Sequence, residues 1–293
     1  MSGSYRSGFV SIIGRPNVGK STFLNHILGT KISIATKKPQ TTRDRILGIW
    51  NAPDSQIIFL DTPGIHHTDK ILNRYMVDKA VSTVNDADIV LIMIDPTDTV
   101  KSLDLIIEIL SSSKNRSILA LNKSDLMDDS VIDRRLEEIG SLARFIHKCP
   151  ISSTTGRGID DLLEKLKDSL PQGPRYFPED MITDHSIRFL SGEIIREKVF
   201  TLTQKEIPYS AAVEIEEFKE DDPVVISAVI HVERPSQKGI VIGSKGKMLK
   251  EIGTQARIDI QRLVGCKVFL KLFVRVTRDW TKNPRVMKEL GYK

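Results

Sequence analysis

Cysteine is almost missing from this sequence: Cys149 and Cys266 stand alone among 293 residues, and neither has CxxC spacing. That excludes a disulfide framework and a thiolate zinc site and points to reduced thiols in the cytoplasm. Long apolar runs are missing too. The longest, Ile89–Ile94, is far short of the ~18 residues a membrane span needs. The opening residues, Met1-Ser-Gly-Ser-Tyr-Arg, hold no apolar stretch of the signal-peptide kind. Repeats and low-complexity tracts are absent as well, which excludes solenoids and disordered arrays.

What is present is ordinary globular composition, 40% hydrophobic and 28% charged, in a chain long enough for two domains. The net charge of +5 hides an uneven distribution. Residues 1–175 carry 23 basic against 21 acidic side chains, residues 176–234 carry 6 against 13, and residues 235–293 carry 14 against 4. A basic final segment behind an acidic one suits a polyanion-binding surface better than a uniformly solvated chain.

Over the first 170 residues or so, short β-rich runs (9–13, 46–50, 57–60, 89–94, 118–121 and 146–151) alternate with helical patterns such as 103–110 and 158–170. This is the signature of βαβ units around a mostly parallel sheet with helices on both faces. The stretch from Pro171 to Pro178 is rich in helix breakers and reads as a linker. Beyond it come a helix over 187–203, several strands, a Gly-flanked turn, a long helix and a strand, a smaller α+β arrangement. The expected division is an α/β domain over 1–172, a linker over 173–185 and the α+β domain over 186–293.

Gly14-Arg15-Pro16-Asn17-Val18-Gly19-Lys20-Ser21 fits GxxxxGK[ST], follows a predicted strand and opens a helix at Thr22. Glycines let successive backbone N–H groups point at phosphates beside a helix N-terminus. Lys20 would reach the β- and γ-phosphates and the Ser21 hydroxyl would ligate Mg²⁺. Asp61-Thr62-Pro63-Gly64 ends the strand 57–60; its carboxylate suits the same Mg²⁺ through a water, and the Gly64 N–H suits the γ-phosphate. Alone it would be a plain turn; behind a phosphate loop it completes a metal site. In Gln40-Thr41-Thr42-Arg43, Thr42 is preferred over Thr41 as the hydroxyl that completes the magnesium shell. Asn122-Lys123-Ser124-Asp125 places a carboxylate where it accepts two hydrogen bonds from guanine, with the Lys123 stem along the base and Asn122 bracing a neighbouring loop. Ser152-Ser153 would offer a backbone N–H to guanine O6. Together these read as a GTP/GDP site with Mg²⁺ that hydrolyses GTP, with Lys20, Thr42 and Gly64 as the catalytic groups. All lie at strand carboxyl ends, where an open α/β sheet binds its ligands.

Gly243-Ser244-Lys245-Gly246 fits the GxxG of a KH domain, read as following a strand over 239–242 and preceding a helix with Leu249, Ile252, Ala256, Ile260 and Leu263 on one face. Two glycines let the chain close on a nucleic-acid backbone, and Lys245 and Lys247 add charge. Ile240, Ile242 and Ile252 would line the base groove, or else be core.

On these motifs the first domain resembles the TRAFAC-class GTPases of the Era/TrmE/EngA branch. Tyr176-Phe-Pro-Glu-Asp-Met-Ile-Thr-Asp, Glu193-Ile-Ile-Arg-Glu-Lys198 and Ile240-Val-Ile-Gly-Ser-Lys-Gly246 narrow the resemblance to the Era family, ribosome-associated bacterial GTPases, over nearly the whole chain. The resemblance implies GTP hydrolysis coupled to binding of 16S ribosomal RNA near its 3′ end during assembly of the 30S subunit. It also implies weak peripheral association with the inner face of the cell membrane. A monomer is expected. One departure from the common GTPase pattern is Ile65, where Ras-like proteins carry a water-orienting glutamine; slow intrinsic hydrolysis follows. Asn17 matches the P-loop asparagine that supports a potassium ion in related GTPases, which makes K⁺ a candidate cofactor. Three readings stay open beside this one: a P-loop kinase or ATPase, which NKSD argues against; a GTP-binding module with negligible hydrolysis; and a related GTPase acting on another RNA.

Overall fold

Six of the apolar runs pair into one sheet: β1 (Arg6–Ile13), β2 (Ile46–Ala52), β3 (Ser55–Asp61), β4 (Ile89–Ile94), β5 (Arg116–Leu121) and β6 (His147–Pro150), in the order β2-β3-β1-β4-β5-β6. The structure is a computed structural model describing residues 5–36, 38 and 41–292. The chain falls into two units. One comprises Met1–Ala35, Thr42–Asp69 and Asn73–Asp184; the other comprises His185–Lys293 with Thr36–Thr41 and Lys70–Leu72.

Among the six strands of the first unit's sheet, the pairings are parallel except β2 with β3, which run antiparallel through a two-residue connection. β4 is buried at all six positions, which is why it reads as a continuous apolar run: a central parallel strand is covered on both faces. The helices are α1 (Lys20–Leu28), α2 (Ile71–Asp86), α3 (Asp104–Ser112), α4 (Asp129–Gly140) and α5 (Ile159–Ser169). Ala80, Val84, Ile106, Leu110, Ile132 and Leu136 bury their apolar stripes against Ile13, Ile92 and Leu119. That leaves the loops after β1, β3, β4, β5 and β6 at one end of the sheet, the strand carboxyl ends.

The Pro171–Pro178 stretch is no free tether. Gln56 Oε1 accepts hydrogen bonds from the Tyr176 and Phe177 N–H groups at 2.9 and 3.0 Å, and Ile49 N–H donates to the Ile182 carbonyl at 2.9 Å. Phe177 and Met181 cover Leu47, Ile49, Ile58 and Leu60. Breaker residues here shape a strap that runs along the sheet.

The second unit contains α6 (Ile187–Leu202), α7 (Ile207–Ser210), β7 (Ala212–Lys219), β8 (Val224–Val232), α8 (Pro235–Ile242), α9 (Lys247–Val264), β9 (Val268–Val276) and α10 (Pro284–Glu289). Its sheet runs β7-β8-β9, antiparallel and then parallel. Ile226, Ala228, Ile230 and Val232 face a core closed by Ile195, Val199, Ile252, Ala256 and Ile260. The expected strand over 239–242 is the end of helix α8. Pro235 sits in its first turn, and Gln237 Oε1 accepts from the Glu233 and Arg234 N–H groups at 2.9 and 3.1 Å. This start signal and the complete burial of Val241 override the strand preference of Ile-Val-Ile.

Candidate functional site

The phosphate loop leaves β1 and enters α1 at Lys20. Lys20 is buried, and its Nζ donates to the carbonyls of Gly14 and Arg15 at 3.0 Å each. Burial pushes its ammonium down to about 8, against the pull of Asp61 and Asp98; a phosphate would restore the full charge. The loop after β3 closes on the same place. Ile65 N–H donates to the Gly14 carbonyl at 3.0 Å, and Thr62 Oγ1 to the Ile12 carbonyl at 2.7 Å. A Cβ at position 64 would lie 2.6 Å from the Pro16 nitrogen, so only glycine lets the two loops meet. Ile65 packs in the core with Ile13 and Ile92, so no side chain at that position reaches an attacking water.

Four oxygens converge beneath the loop. Asp61 Oδ2 accepts from Ser21 Oγ and Ser33 Oγ, both at 2.7 Å, and Ser21 Oγ lies 3.0 Å from Thr42 Oγ1. Asp61 is fully buried and its Oδ1 has no hydrogen-bond partner. Burial pushes its carboxyl up, opposed by Lys20, Ser33 and Ser21. A buried carboxylate with an unused oxygen, beside two hydroxyls, fits a hard oxygen-seeking cation such as Mg²⁺. Thr42, not Thr41, is the threonine joined to this cluster. Gln40, named in the same loop, lies outside the described residues.

Ser33 went unread in the sequence. It reaches Asp61 because Asn25 of α1 pins the loop: Asn25 Oδ1 accepts from the Ile32 and Ser33 N–H groups, both at 3.0 Å, and Asn25 Nδ2 donates to the Ser33 carbonyl at 2.8 Å. Nothing in the local pattern marks it.

At the other end of the site, Asn122 Nδ2 donates to the Val18 carbonyl at 2.7 Å, while its Oδ1 accepts from Ser153 N–H and Oγ at 2.8 and 2.9 Å. It thus braces two loops, as expected of it. Asp125 lies exposed in a short turn, open to a ligand. The Ser152 and Ser153 amides differ from expectation. Ser152 N–H donates to the Arg157 carbonyl at 2.8 Å, and Ser153 N–H is taken by Asn122. Both amides hold the loop itself and are not free for guanine O6.

A second pair of unread residues follows β4. Asp95 Oδ2 accepts from Lys123 Nζ at 2.6 Å, and Asp98 Oδ1 from Arg15 Nη1 at 2.7 Å. Asp98 Oδ2 also accepts from the Asp95 N–H at 3.0 Å. Burial opposes the charge on Asp95, but Lys123 and Thr97 hold it below the usual carboxylate range. One loop thus fastens a phosphate-loop arginine, Arg15, and Lys123 of the Asn122–Asp125 segment.

In the second unit, Ser244–Gly246 forms one tight turn between α8 and α9. Gly243 has φ 71°, and a Cβ there would lie 2.7 Å from that of Met248. Gly246 (φ 77°) and Lys245 (φ 50°) are also left-handed, which presents the exposed Lys245 at the tip, with Lys247 exposed next to it. Beside the turn is a cleft of about 510 Å³ whose walls include Gly246, Leu249, Lys250, Gly253, Arg257 and Leu272. Its lining differs from expectation. Ile252 is fully buried core, Ile242 packs against that core, and Ile240 is exposed without lining the cleft. In a strand Ile240 and Ile242 would share a face; in a helix, at 3.6 residues per turn, they point apart. The cleft belongs to α9 and β9.

Among the described residues no cluster of three His, Cys, Asp or Glu suits a metal ion, and no helix is long and apolar enough to cross a membrane. Both cysteines are free.

Comparison with known proteins identifies both domains. The family described as "50S ribosome-binding GTPase" matches residues 9–123 and the family described as "KH domain" matches residues 206–281. The chain is 54% identical to GTPase Era of Syntrophus aciditrophicus over 98% of its own length and 95% of that protein's. To GTPase Era of Geobacter metallireducens it is 51% identical, over 98% of each. Among solved structures it is similar to a variant of Aquifex aeolicus Era bound to GDP·AlF4⁻, at 40% identity, 98% and 99% coverage and a TM-score of 0.94. The same identity, coverage and TM-score hold for Era in complex with MgGDPNP and nucleotides 1506–1542 of 16S ribosomal RNA.

Proposed function

Because this chain belongs to the Era family of GTPases, we propose that it couples GTP hydrolysis to binding of 16S ribosomal RNA near its 3′ end, in the cytoplasm, during assembly of the 30S subunit. The observation that carries the nucleotide half is the convergence of Ser21, Thr42 and Asp61, with the unpartnered Asp61 Oδ1 buried among them.

In this reading Lys20 holds the β- and γ-phosphates, and Ser21, Thr42 and Asp61 hold Mg²⁺. Bound there, the metal neutralises charge on the phosphate oxygens. The loop amides from Asn17 to Ser21 cradle the phosphates, the Gly64 N–H faces the γ-phosphate, and Asp125 reads guanine with Lys123 along its face. Lys123 is positioned by Asp95, and Arg15 by Asp98. No glutamine orients the attacking water, since Ile65 is in the core. A fixed positive charge from potassium, supported by Asn17, fills that gap. Turnover should be faster in potassium chloride than in sodium chloride at matched ionic strength, and Asn17→Ala should lose the difference. Equal rates in both salts would dismiss the cation.

The RNA half rests on the GxxG turn and its cleft, in the segment with 14 basic and 4 acidic side chains. Lys245 sits where an RNA backbone comes closest. Lys245→Asp should weaken binding of a single-stranded RNA from the 3′ end of 16S ribosomal RNA by roughly tenfold and flatten its salt dependence. GTP affinity should stay constant. Filter binding over a salt series measures both, and unchanged RNA affinity would sink the assignment of this turn.

A further inference from the structure

Alternation along β9 sends Val268, Leu270, Leu272 and Val274 into the core of the second unit and Phe269, Lys271, Phe273 and Arg275 to the opposite face. On that outer face Phe269 and Phe273 are 52% and 54% exposed. They are four residues apart on an edge strand, roughly 13 Å along it. Register sets Phe269 beside Val225 and Phe273 beside Val229 of β8, and Val229 is buried. Each ring therefore shields a neighbour with part of its surface and keeps the rest in water.

The charges between the rings matter. Lys271 Nζ lies 5.4 Å from the Phe269 ring centroid. Arg275 Nη2 pairs with Glu216 at 3.0 Å, and Lys219 pairs with Glu217 at 2.6 Å, both carboxylates belonging to β7 on the far side of β8. Lys271 stands between the two open rings, with the Glu217 carboxylate as its electrostatic neighbour on the same face. A protein-docking patch would be contiguous and apolar; here a charged residue separates the aromatics. Alternating cation and aromatic is the pattern that takes stacked bases and a phosphate backbone. Phe269 also lines the cleft beside the GxxG turn, so cleft and outer face are continuous around the edge of β9. A GxxG cleft clamps about four nucleotides, and a longer strand must continue somewhere.

We propose that the outer face of β9 is a second contact for single-stranded RNA: bases leaving the cleft stack on Phe269 and Phe273, and Lys271 meets the phosphates between them. This rests on the RNA reading of the cleft. The test uses the full chain and single-stranded RNA oligonucleotides of about five and about twelve residues, the shorter filling the cleft alone. Phe273→Ala should lower affinity for the longer RNA roughly 5- to 100-fold and leave the shorter one unchanged. Phe273→Leu, which keeps apolar volume without a π-face, should fall as far as Phe273→Ala; Phe273→Trp should bind as the native chain does. Thermal unfolding of each variant reports folding, and Phe273→Leu keeps the test open should the alanine variant unfold. Native affinity for the longer RNA in Phe273→Leu, or equal losses for both lengths, overturns the proposal. If every variant binds both RNAs as the native chain does, the face is left to a protein partner and the proposal fails alone. If the native chain binds neither length, the cleft reading fails and this one with it.

Discussion

The nucleotide site and the cleft beside the GxxG turn are built on opposite plans. Around Asp61 and Asn122, the polar groups are buried and tied to one another: Asp61, Thr62, Ser33, Asn122 and Ser153 are each at most 3% exposed. Around the GxxG turn, Lys245, Lys247 and Lys250 stand in water, and the cleft walls mix glycine, leucine and Phe269 with Lys250 and Arg257. A small, densely charged ligand rewards fixed donors in a site shielded from water. A long flexible polyanion rewards exposed charge and a groove its backbone can follow. Precision therefore sits in the first unit and accessibility in the second, and substitutions should reveal the contrast as a difference in sensitivity.

The largest effect should come from Asp125→Asn. It removes charge-assisted bonds to guanine worth ~1.5–3 kcal/mol each, so GTP affinity should fall by a hundredfold or more, with a gain for xanthosine triphosphate. Titration with both nucleotides checks it; undiminished GTP affinity would break the base-reading assignment and weaken the contrast.

Next is Ser33→Ala. Ser33 holds Asp61, and groups that orient a metal ligand commonly matter 10- to 100-fold in metal affinity. The Mg²⁺ concentration that half-saturates GTP hydrolysis should rise by about tenfold, while turnover at saturating Mg²⁺ stays near native. Ser33→Thr should recover much of the loss. An unchanged Mg²⁺ requirement would mean that Ser21 alone positions Asp61.

The smallest effect should be Gly253→Ala, on the cleft wall. A Cβ there would meet Leu272 Cδ1 at 3.4 Å, an ordinary contact, in the interior of helix α9. Stability should rise by roughly 0.5–1 kcal/mol from helix propensity, read as a higher Tm, with little change in RNA affinity. The same one-carbon change at Gly64, 2.6 Å from the Pro16 backbone, should weaken GTP binding, though by less than Asp125→Asn. If both positions tolerated alanine, the distinction between a fixed site and an open one would fail.

Legibility in the sequence follows the same division. The residues from Gly14 to Ser21 could be read without a fold because phosphate binding is written in consecutive positions of one loop. Asp61 and Asn122 could be read because each closes a recognisable strand. Asp95 and Asp98 could not: an Asp-Pro-Thr-Asp after a strand reads as a turn, and its carboxylates matter only because β4 lies between β1 and β5. In the second unit, Ile240-Val-Ile carried a strand preference that a helix start and one buried valine overruled, and the groove residues were misplaced with it.

Local chemistry was therefore legible in the amino-acid sequence alone: a phosphate loop, a carboxylate proposed for magnesium, a carboxylate proposed for guanine and a glycine-flanked lysine turn, each within a few adjacent residues. Tertiary structure decided which distant groups serve them. Ser33 bonds to Asp61 across 28 positions and Asn122 to Val18 across 104. Such partners obey no spacing rule, because they meet only where strand order and helix packing bring separate loops to one end of a sheet.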